Sequence, residues 1–130
     1  MSSVRLVRDP NLAEAPYAYA AVVPGGAVFT AGACPLGADG EIVGAGDYAE
    51  QARVTMANLV VALTASGCTL TDVAKTTVFV ASTDRADLVT VWEVVRAAFG
   101  DHDAPSTLLG VALLGYPDQL VEVEAVAALG

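Results

Sequence analysis

Two glutamates near the C-terminus are spaced as a pair that could transfer protons. Glu122 and Glu124 are two residues apart, and such residues share one face of a β-strand, while Val123 points to the other face. If that face is covered, partial burial would make a carboxylate a usable general acid or base. At a solvated sheet edge the same carboxylates would have no chemical role. The spacing leaves both alternatives open for Glu122 and favours the solvated one for Glu124.

The histidine and the cysteines carry weaker chemical signals. His102 lies between Asp101 and Asp103 and near Ser106, which could pair a base with a nucleophile. Nothing in that spacing orients the ring, so a solvated loop histidine is favoured. Cys34 has no cation nearby in sequence to lower the pKa of its thiol, and a small buried apolar role is favoured for it.

Metal and nucleotide motifs are absent from the sequence. It contains no C-x-x-C, no H-E-x-x-H, no G-x-S-x-G and no glycine loop ending in Lys-Ser or Lys-Thr. One histidine and two cysteines that lie 34 positions apart do not make a structural zinc site. The sequence therefore predicts no metal ligands. Among the aromatic residues, Trp92 is expected in the core, and Tyr17 could donate to a site or contact an interface.

Turn residues divide the chain into the short elements that must position these side chains. Strands are predicted over 17–23, 27–31, 41–43, 75–81, 107–114 and 119–128. Helices are predicted over 48–66, with a capping box of Asp47 and Glu50, and from a cap at Thr83 or Asp84 to Gly100. This order predicts an α+β fold, a mixed sheet with two helices on one face. Its length predicts one domain over residues 1–130.

The segment 107–114 is largely apolar on both faces. Thr107, Leu109, Val111 and Leu113 alternate with residues that are also mostly apolar. A strand with two apolar faces needs cover on both, and two helices cover only one face of the sheet. The mean hydropathy of +0.56 is also high for a small monomer. The pattern therefore predicts a homo-oligomer, in which another copy of the chain covers the second face.

The charge balance restricts the partners. Six Lys and Arg residues against fifteen Asp and Glu give a net charge of −9, which disfavours nucleic acid and anionic membranes. No apolar run reaches the roughly 18 residues of a membrane span, and the N-terminus does not resemble a secretion signal. With two cysteines only, a cytoplasmic location is expected.

An ordered set of short motifs resembles a known family. The motifs are 15–17 (APY), 29–32 (FTAG), 39–43 (DGEIV), Gln51, 58–59 (NL), Gly67, 72–73 (DV), Pro105 and 120–124 (LVEVE). In this order and spacing they resemble the RidA/YjgF family of enamine/imine deaminases, also known as endoribonuclease L-PSP. The resemblance implies a chorismate-mutase-like fold and a homotrimer with clefts between subunits. It also implies no cofactor or metal, and hydrolysis of enamines and imines to a keto acid and ammonia.

The resemblance also suggests site residues. It implies catalytic roles for Glu122 and Tyr17. It further implies that Gly32 contacts a ligand through its backbone, in a loop that also contains Ala33 and Cys34.

Three positions depart from the family pattern. Thr107 stands where the family has an arginine that grips the substrate carboxylate, Leu109 where it has a cysteine, and Trp92 where it has an asparagine. A carboxylate buried without a charged partner costs several kcal/mol, and a threonine hydroxyl does not replace a guanidinium. The departures therefore predict a more apolar cleft with one acid, which would take a neutral or cationic imine, enamine or amine. They predict poor activity on the family's usual imino acids.

Other functions remain open at this stage. An ordinary imine deaminase would need a cation from elsewhere, such as Arg85 or Arg96. A trimer that binds a metabolite without catalysis would use the cleft for binding only. Ribonuclease activity ranks low, because the chain is acidic and has no basic stripe or histidine pair.

Overall fold

The computed structural model describes residues 5–15 and 19–129. Within these ranges two helices pack on a six-stranded mixed sheet, which confirms the predicted α+β architecture. The helices are α1 (Tyr48–Ala65) and α2 (Arg85–Phe99). The strands are β1 (Arg5–Val7), β2 (Ala20–Val23), β3 (Ala27–Thr30), β4 (Val73–Ala81), β5 (Ser106–Val111) and β6 (Val121–Ala128).

The strands lie in the order β1-β2-β3-β6-β4-β5. Every neighbouring pair is antiparallel except β4 and β5, which are parallel and are connected through α2. A parallel pair needs such a crossover, because a tight hairpin can join antiparallel strands only. The C-terminal strand β6 therefore lies in the middle of the sheet, and Glu122 and Glu124 lie on it.

Both helices begin and end where the sequence predicts. The Asp47 carboxylate caps α1 by accepting from the backbone N–H of Glu50 at 3.0 Å, and the side chain of Asp84 caps α2. The predicted capping box is only half formed, because the Glu50 carboxylate forms an ion pair with Arg53 at 2.8 Å and the backbone N–H of Asp47 donates to the carbonyl of Gly44 instead. Gly100 follows α2 with a φ of +62°, a conformation that suits glycine and ends the helix.

Several strand predictions differ from the structure. The strand predicted over 17–23 is observed at Ala20–Val23, and residues 17 and 18 lie outside the described part of the chain. The predicted strand over 41–43 is wrong, since Ile42 forms a single bridge with Leu36. Strand β1 was not predicted; three residues are too few to show alternation. The final two strands are shorter than predicted, because the chain leaves the sheet between Val111 and Val121 to form a loop.

Alternation along the strands separates the two faces of the sheet. One face packs against the helices, and its fully buried strand residues are Val28, Val78, Val80, Val121 and Val123. No helix of the described residues covers the opposite face, which we call the open face. On it Leu6, Phe29 and Leu109 are 62%, 47% and 42% exposed. Neither helix in the described part of the chain has the length and apolar character needed to span a membrane.

Candidate functional site

Glu122 lies beside a cavity of about 260 Å³ at the end of β6 nearest the loop 112–120. By strand alternation its side chain is on the open face, opposite the buried Val121 and Val123. The cavity lining combines one carboxylate, one amide, one thiol and one aromatic ring with small residues. These are Ala31, Gly32, Cys34, Gly115, Tyr116, Gln119 and Glu122.

Buried donors hold the carboxylate of Glu122 on one side. Its Oε1 accepts a hydrogen bond from Nε2 of Gln119 at 3.2 Å and one from Sγ of Cys34 at 3.4 Å. Gln119 is only 4% exposed, and its own Oε1 accepts from the backbone N–H of Tyr116 at 3.1 Å. Gln119, which orients the carboxylate of Glu122, is therefore itself held in place by the backbone.

The loop that contains Gly32 is tied to both β6 and α1. Ala33 exchanges two backbone hydrogen bonds with Val123, at 2.7 and 3.1 Å. Asn58 of α1 donates to the carbonyls of Cys34 and Leu36 at 2.8 and 2.9 Å. These bonds place Gly32 directly against the side chain of Glu122. A Cβ built on Gly32 would overlap the Glu122 carboxylate, so the residue type is required by space.

Replacing Gly32 with alanine should displace Glu122 at little cost in stability. The added methyl group meets the far end of a flexible side chain, which can rotate away. We therefore expect a loss of well under the about 1–3 kcal/mol typical of overpacking a rigid core. Thermal unfolding and a crystal structure of Gly32→Ala would check both parts. An unmoved Glu122 would contradict the prediction.

The thiol of Cys34 is unusually weakly acidic. Its pKa is raised to about 12, first by burial, then by the negative charge of Glu122 and by the hydrogen bond to that carboxylate. The hydrogen bond from Gln119 acts in the opposite direction and lowers it. The pKa of Cys68 is also raised, by burial and then by the charge of Asp72. Cys34 therefore stays a thiol at neutral pH and can donate its proton to Glu122.

Alkylation of Cys34 should therefore be very slow at pH 8. With a pKa near 12 about one thiol in ten thousand is ionised at that pH, against about one in ten for a thiol with an unshifted pKa of 9.0. Because a neutral amide removes the charge that raises the pKa, Glu122→Gln should react faster. Mass spectrometry of the Cys34 peptide after iodoacetamide treatment measures both rates. Equal rates in the two proteins would contradict the assigned contact.

Thr107 lies elsewhere on the open face and has a cation beside it. In the sheet register Thr107 pairs with Thr77, which pairs in turn with Glu124. Lys75, on the same face of β4, donates from Nζ to Oγ1 of Thr107 at 2.6 Å. Lys75 and Glu124 also line a small cavity of about 130 Å³, although no ion pair within 4 Å joins them in the described structure.

Comparisons with known proteins identify the family. The profile of the endoribonuclease L-PSP family matches residues 9–129. The chain belongs to the RidA/YjgF family. TdcF of Escherichia coli strain K12, a proposed reactive intermediate deaminase, is 36% identical over 106 residues, which cover 79% of each chain. The RutC family protein PH0854 of Pyrococcus horikoshii is 35% identical over 113 residues, or 86% of each chain.

Solved structures of the family have the same fold. A crystal structure of E. coli TdcF with bound serine has a TM-score of 0.82 at 32% identity and covers 95% of this chain and 98% of that one. The E. coli YjgF gene product has a TM-score of 0.81 at 32% identity, with the same coverage. A proposed endoribonuclease of Thermotoga maritima has a TM-score of 0.84 at 35% identity and covers 95% of this chain and 96% of that one.

The structure of this RidA/YjgF member brings together only some of the predicted site residues. Gly32, Cys34 and Glu122 line one cavity, with Ala33 buried next to them. Tyr17 lies outside the described residues. Leu109 is on the open face and pairs with Phe79, which pairs in turn with Glu122. Glu124 lies one row further along, beside Lys75 rather than at the Glu122 cavity.

Trp92 lies on the other side of the sheet. It is partly buried against the core and lines a separate cavity of about 230 Å³ together with Arg96, Phe99 and His102. A ring nitrogen of His102, Nε2, is 2.8 Å from the carbonyl oxygen of Val73, so the backbone orients this ring. The hydroxyl of Ser106 is hydrogen-bonded to the hydroxyl of Thr76 and not to His102. The described residues contain no cluster of three side chains suited to holding a metal.

Sequence reasoning missed two residues that the fold brings into contact with predicted site residues. Gln119 holds Glu122, and Lys75 reaches Thr107 across 32 positions of sequence. If the register of β4 against β5 had been known, the parallel pairing of these strands would have indicated that Lys75 lies near Thr107. No sequence signal distinguishes Gln119 from an ordinary loop glutamine.

Proposed function

We propose that this protein binds an imine, an enamine or a related amine-type metabolite beside Glu122 and hydrolyses it without a cofactor. The observation that carries the proposal is a carboxylate fixed by buried donors at the edge of a cavity. A positioned carboxylate of this kind is suited to moving protons between water and a nitrogen. Family membership and the name of the relative TdcF support the reaction class.

The proposed reaction consumes one water and releases one amine. Glu122 accepts a proton from the water while the water oxygen forms a bond to the imine carbon, and the C=N pair of electrons moves to nitrogen. For a protonated imine this gives a neutral carbinolamine, to whose nitrogen Glu122 returns the proton. As the C–N bond breaks, Glu122 accepts the hydroxyl proton and the carbonyl product forms. Glu122 then gives this proton to the departing ammonia, which leaves as ammonium. Tyr17 would orient the substrate. The carboxylate thus acts as base and then as acid.

The cleft in this proposal needs a second copy of the chain. Within one chain Thr107 and Glu122 lie two strands and one side-chain row apart, a distance of about 10 Å or more at the usual sheet spacings. A small imine does not span both groups. An open sheet face with exposed Phe29 and Leu109 supports association with other copies, as a trimer, which would bring the Thr107 of one chain towards the Glu122 of another.

The charges near Glu122 favour a substrate without a carboxylate. The described lining of the Glu122 cavity contains no lysine or arginine, so a protonated imine would face one negative charge and no positive one. An imino acid would have to bury its own carboxylate beside Glu122 without a guanidinium. We therefore propose faster hydrolysis of carboxylate-free imines than of imino acids.

A matched pair of imines tests this preference. An amine oxidase acting on benzylamine supplies benzaldimine, and an amino acid oxidase acting on phenylalanine supplies the related imino acid. The rate of imine decay above the uncatalysed rate is followed for each substrate. Faster turnover of benzaldimine supports the proposal, and turnover of the imino acid alone would overturn the preference.

The contact between Lys75 and Thr107 favours a second candidate function, an ordinary imino acid deaminase. The ammonium of Lys75 supplies a positive charge on the open face beside Thr107, the residue that the family resemblance aligns with an arginine. A single ammonium attracts a carboxylate as a point charge, without the two parallel hydrogen bonds of a guanidinium. Its charge is also shared with Glu124, which lines the same small cavity.

Replacing Lys75 with methionine separates the two candidates. If Lys75 binds the substrate carboxylate, Lys75→Met should raise the KM for an imino acid about tenfold or more and leave that for benzaldimine unchanged. Arg96→Met is the matched control, since Arg96 is an exposed cation that lines the Trp92 cavity instead. Equal kinetics of Lys75→Met and the unmodified protein on imino acids would remove the second candidate.

Endoribonuclease activity, which the family description names, is not proposed. A chain with a net charge of −9 repels a phosphate backbone, and RNA binding depends on neutralising that backbone. The ring nitrogen Nε2 of His102, the one histidine in the sequence, lies against a backbone carbonyl.

A further inference from the structure

The contacts of Glu122 distinguish its two carboxylate oxygens. Oε1 accepts from the amide of Gln119 and from the thiol of Cys34, at 3.2 and 3.4 Å. Oε2 has no hydrogen-bond partner among the residues that the structure describes, and it lies against Gly32, where both residues line the cavity. One oxygen is thus occupied by the protein, and the other is left for a ligand or water.

We propose that Gln119 and Cys34 are positioning residues that hold Oε1, so that Oε2 is the oxygen that exchanges protons with water and substrate. The proposal rests on the proposed function for its chemistry, and on the geometry of the cluster for the assignment of the two oxygens. A carboxylate that is free to rotate would present either oxygen at varying distances, and a misplacement of about 1 Å can cost a hundredfold in rate.

The orientation of the Gln119 amide follows from all of its contacts. Its Oε1 accepts from the backbone N–H of Tyr116, while Nε2 lies near three acceptors, which are Oε1 of Glu122, Sγ of Cys34 and the carbonyl oxygen of Val121, at 3.2, 3.3 and 3.1 Å. A flipped amide would place its oxygen against the carboxylate and the carbonyl oxygen, and its NH₂ against an N–H donor. Because a carboxylate and a carbonyl only accept, the contacts permit one orientation.

Cys34 completes the arrangement as the second donor. Its thiol lies 3.4 Å from both Oε1 of Glu122 and the carbonyl oxygen of Gly32, so its single proton is shared between these two acceptors. The raised pKa of this thiol keeps that proton in place at neutral pH. A thiolate here would repel Glu122 and leave the carboxylate with one donor.

Gln119→Met tests the positioning role, with Gln51→Met as the matched control. Methionine keeps the length and burial of the side chain and removes the amide donor. Gln51 is also a fully buried glutamine and holds the same loop, through the carbonyl of Asp118 at 2.8 Å and the N–H of Leu120 at 2.7 Å, but it does not touch Glu122. We expect Gln119→Met to lower kcat at least tenfold with little change in KM, since hydrogen bonds to charged groups are the stronger ones. Gln51→Met should lower thermal stability and keep kcat below its unfolding temperature.

Cys34 variants provide the conservative comparison. Cys34→Ser keeps a donor and should retain most of the activity, whereas Cys34→Ala removes it and should reduce kcat by a smaller factor than Gln119→Met. Equal kcat values for Gln51→Met and Gln119→Met, or for the serine and alanine variants, would mean that these residues support the loop only and would overturn the proposal.

A crystal structure of Gln119→Met gives an answer that is independent of turnover. We expect the carboxylate of Glu122 to rotate or to occupy more than one conformation. An unchanged carboxylate would overturn the positioning role even if the protein is an active deaminase. A displaced carboxylate in a protein that hydrolyses no imine would confirm the positioning and overturn the proposed function, so the two failures are distinguishable.

Discussion

Glu122→Gln should reduce imine hydrolysis by a factor of about 10² to 10⁴, the usual contribution of a general acid–base residue. The amide has almost the same shape as the carboxylate, so it can still accept from Gln119 and Cys34 through its oxygen. It cannot accept a proton from water at neutral pH. Initial rates of imine decay, measured with unmodified and variant protein at equal concentration, give the factor directly.

Glu124→Gln is the matched control for this measurement. Glu124 lies on the same strand and the same face, two residues away, but it lines the cavity of Lys75 and not that of Gly32. It should retain benzaldimine hydrolysis within about threefold, since surface changes away from a site have small effects. Thermal unfolding of both variants excludes loss of the fold as the cause.

The same pair of variants separates catalysis from simple binding. If the protein binds a metabolite without converting it, the unmodified protein and both variants should leave the imine to decay at the uncatalysed rate. A bulky change such as Gly32→Leu would still abolish binding. Equal and measurable turnover by Glu122→Gln and the unmodified protein would contradict the catalytic role of Glu122 and leave imine hydrolysis to another group.

The sequence was sufficient for the architecture because local signals determine it. Asp47 and Asp84 cap the helices, Gly100 ends the second one, and alternation of Val121 and Val123 with Glu122 defines the faces of the last strand. Each of these signals acts within a few residues. The order of the strands was predicted less completely, because β1 is too short to show a period and Ile42 pairs through a single bridge.

The site was predicted less well because it depends on register. Residues on one strand could be assigned to a face, but which strands are neighbours could not be read from the sequence. Lys75 and Thr107 meet only because β4 and β5 are parallel and paired through Thr77. Gln119 reaches Glu122 only because the loop before β6 folds back towards that strand. Trp92 could be assigned to the apolar face of its helix, yet which cavity that face borders depends on packing.

Placing a charge on the open face of the sheet should separate the proposed trimer into single chains. Leu109 is 42% exposed in one chain and lies in the same cross-strand row as Phe79 and Glu122. Burying an unpaired carboxylate at an apolar interface costs several kcal/mol at each of three equivalent positions, so Leu109→Asp should shift the assembly strongly towards monomer. Light scattering should give three times the 13.2 kDa of one chain for the unmodified protein and a single chain mass for the variant.

Val89→Asp is the control that connects assembly to function. Val89 is an equally apolar residue, 52% exposed, but it lies on α2, away from the open face, so its variant should keep the mass of the unmodified protein. Because Thr107 and Glu122 are too far apart in one chain to form the cleft, the monomeric Leu109→Asp should also lose most of its imine hydrolysis, although its own Glu122 cavity is intact. A monomer that keeps full activity would place the whole site within one chain. If light scattering shows that the unmodified protein is a monomer, the proposed trimer through the open face is wrong.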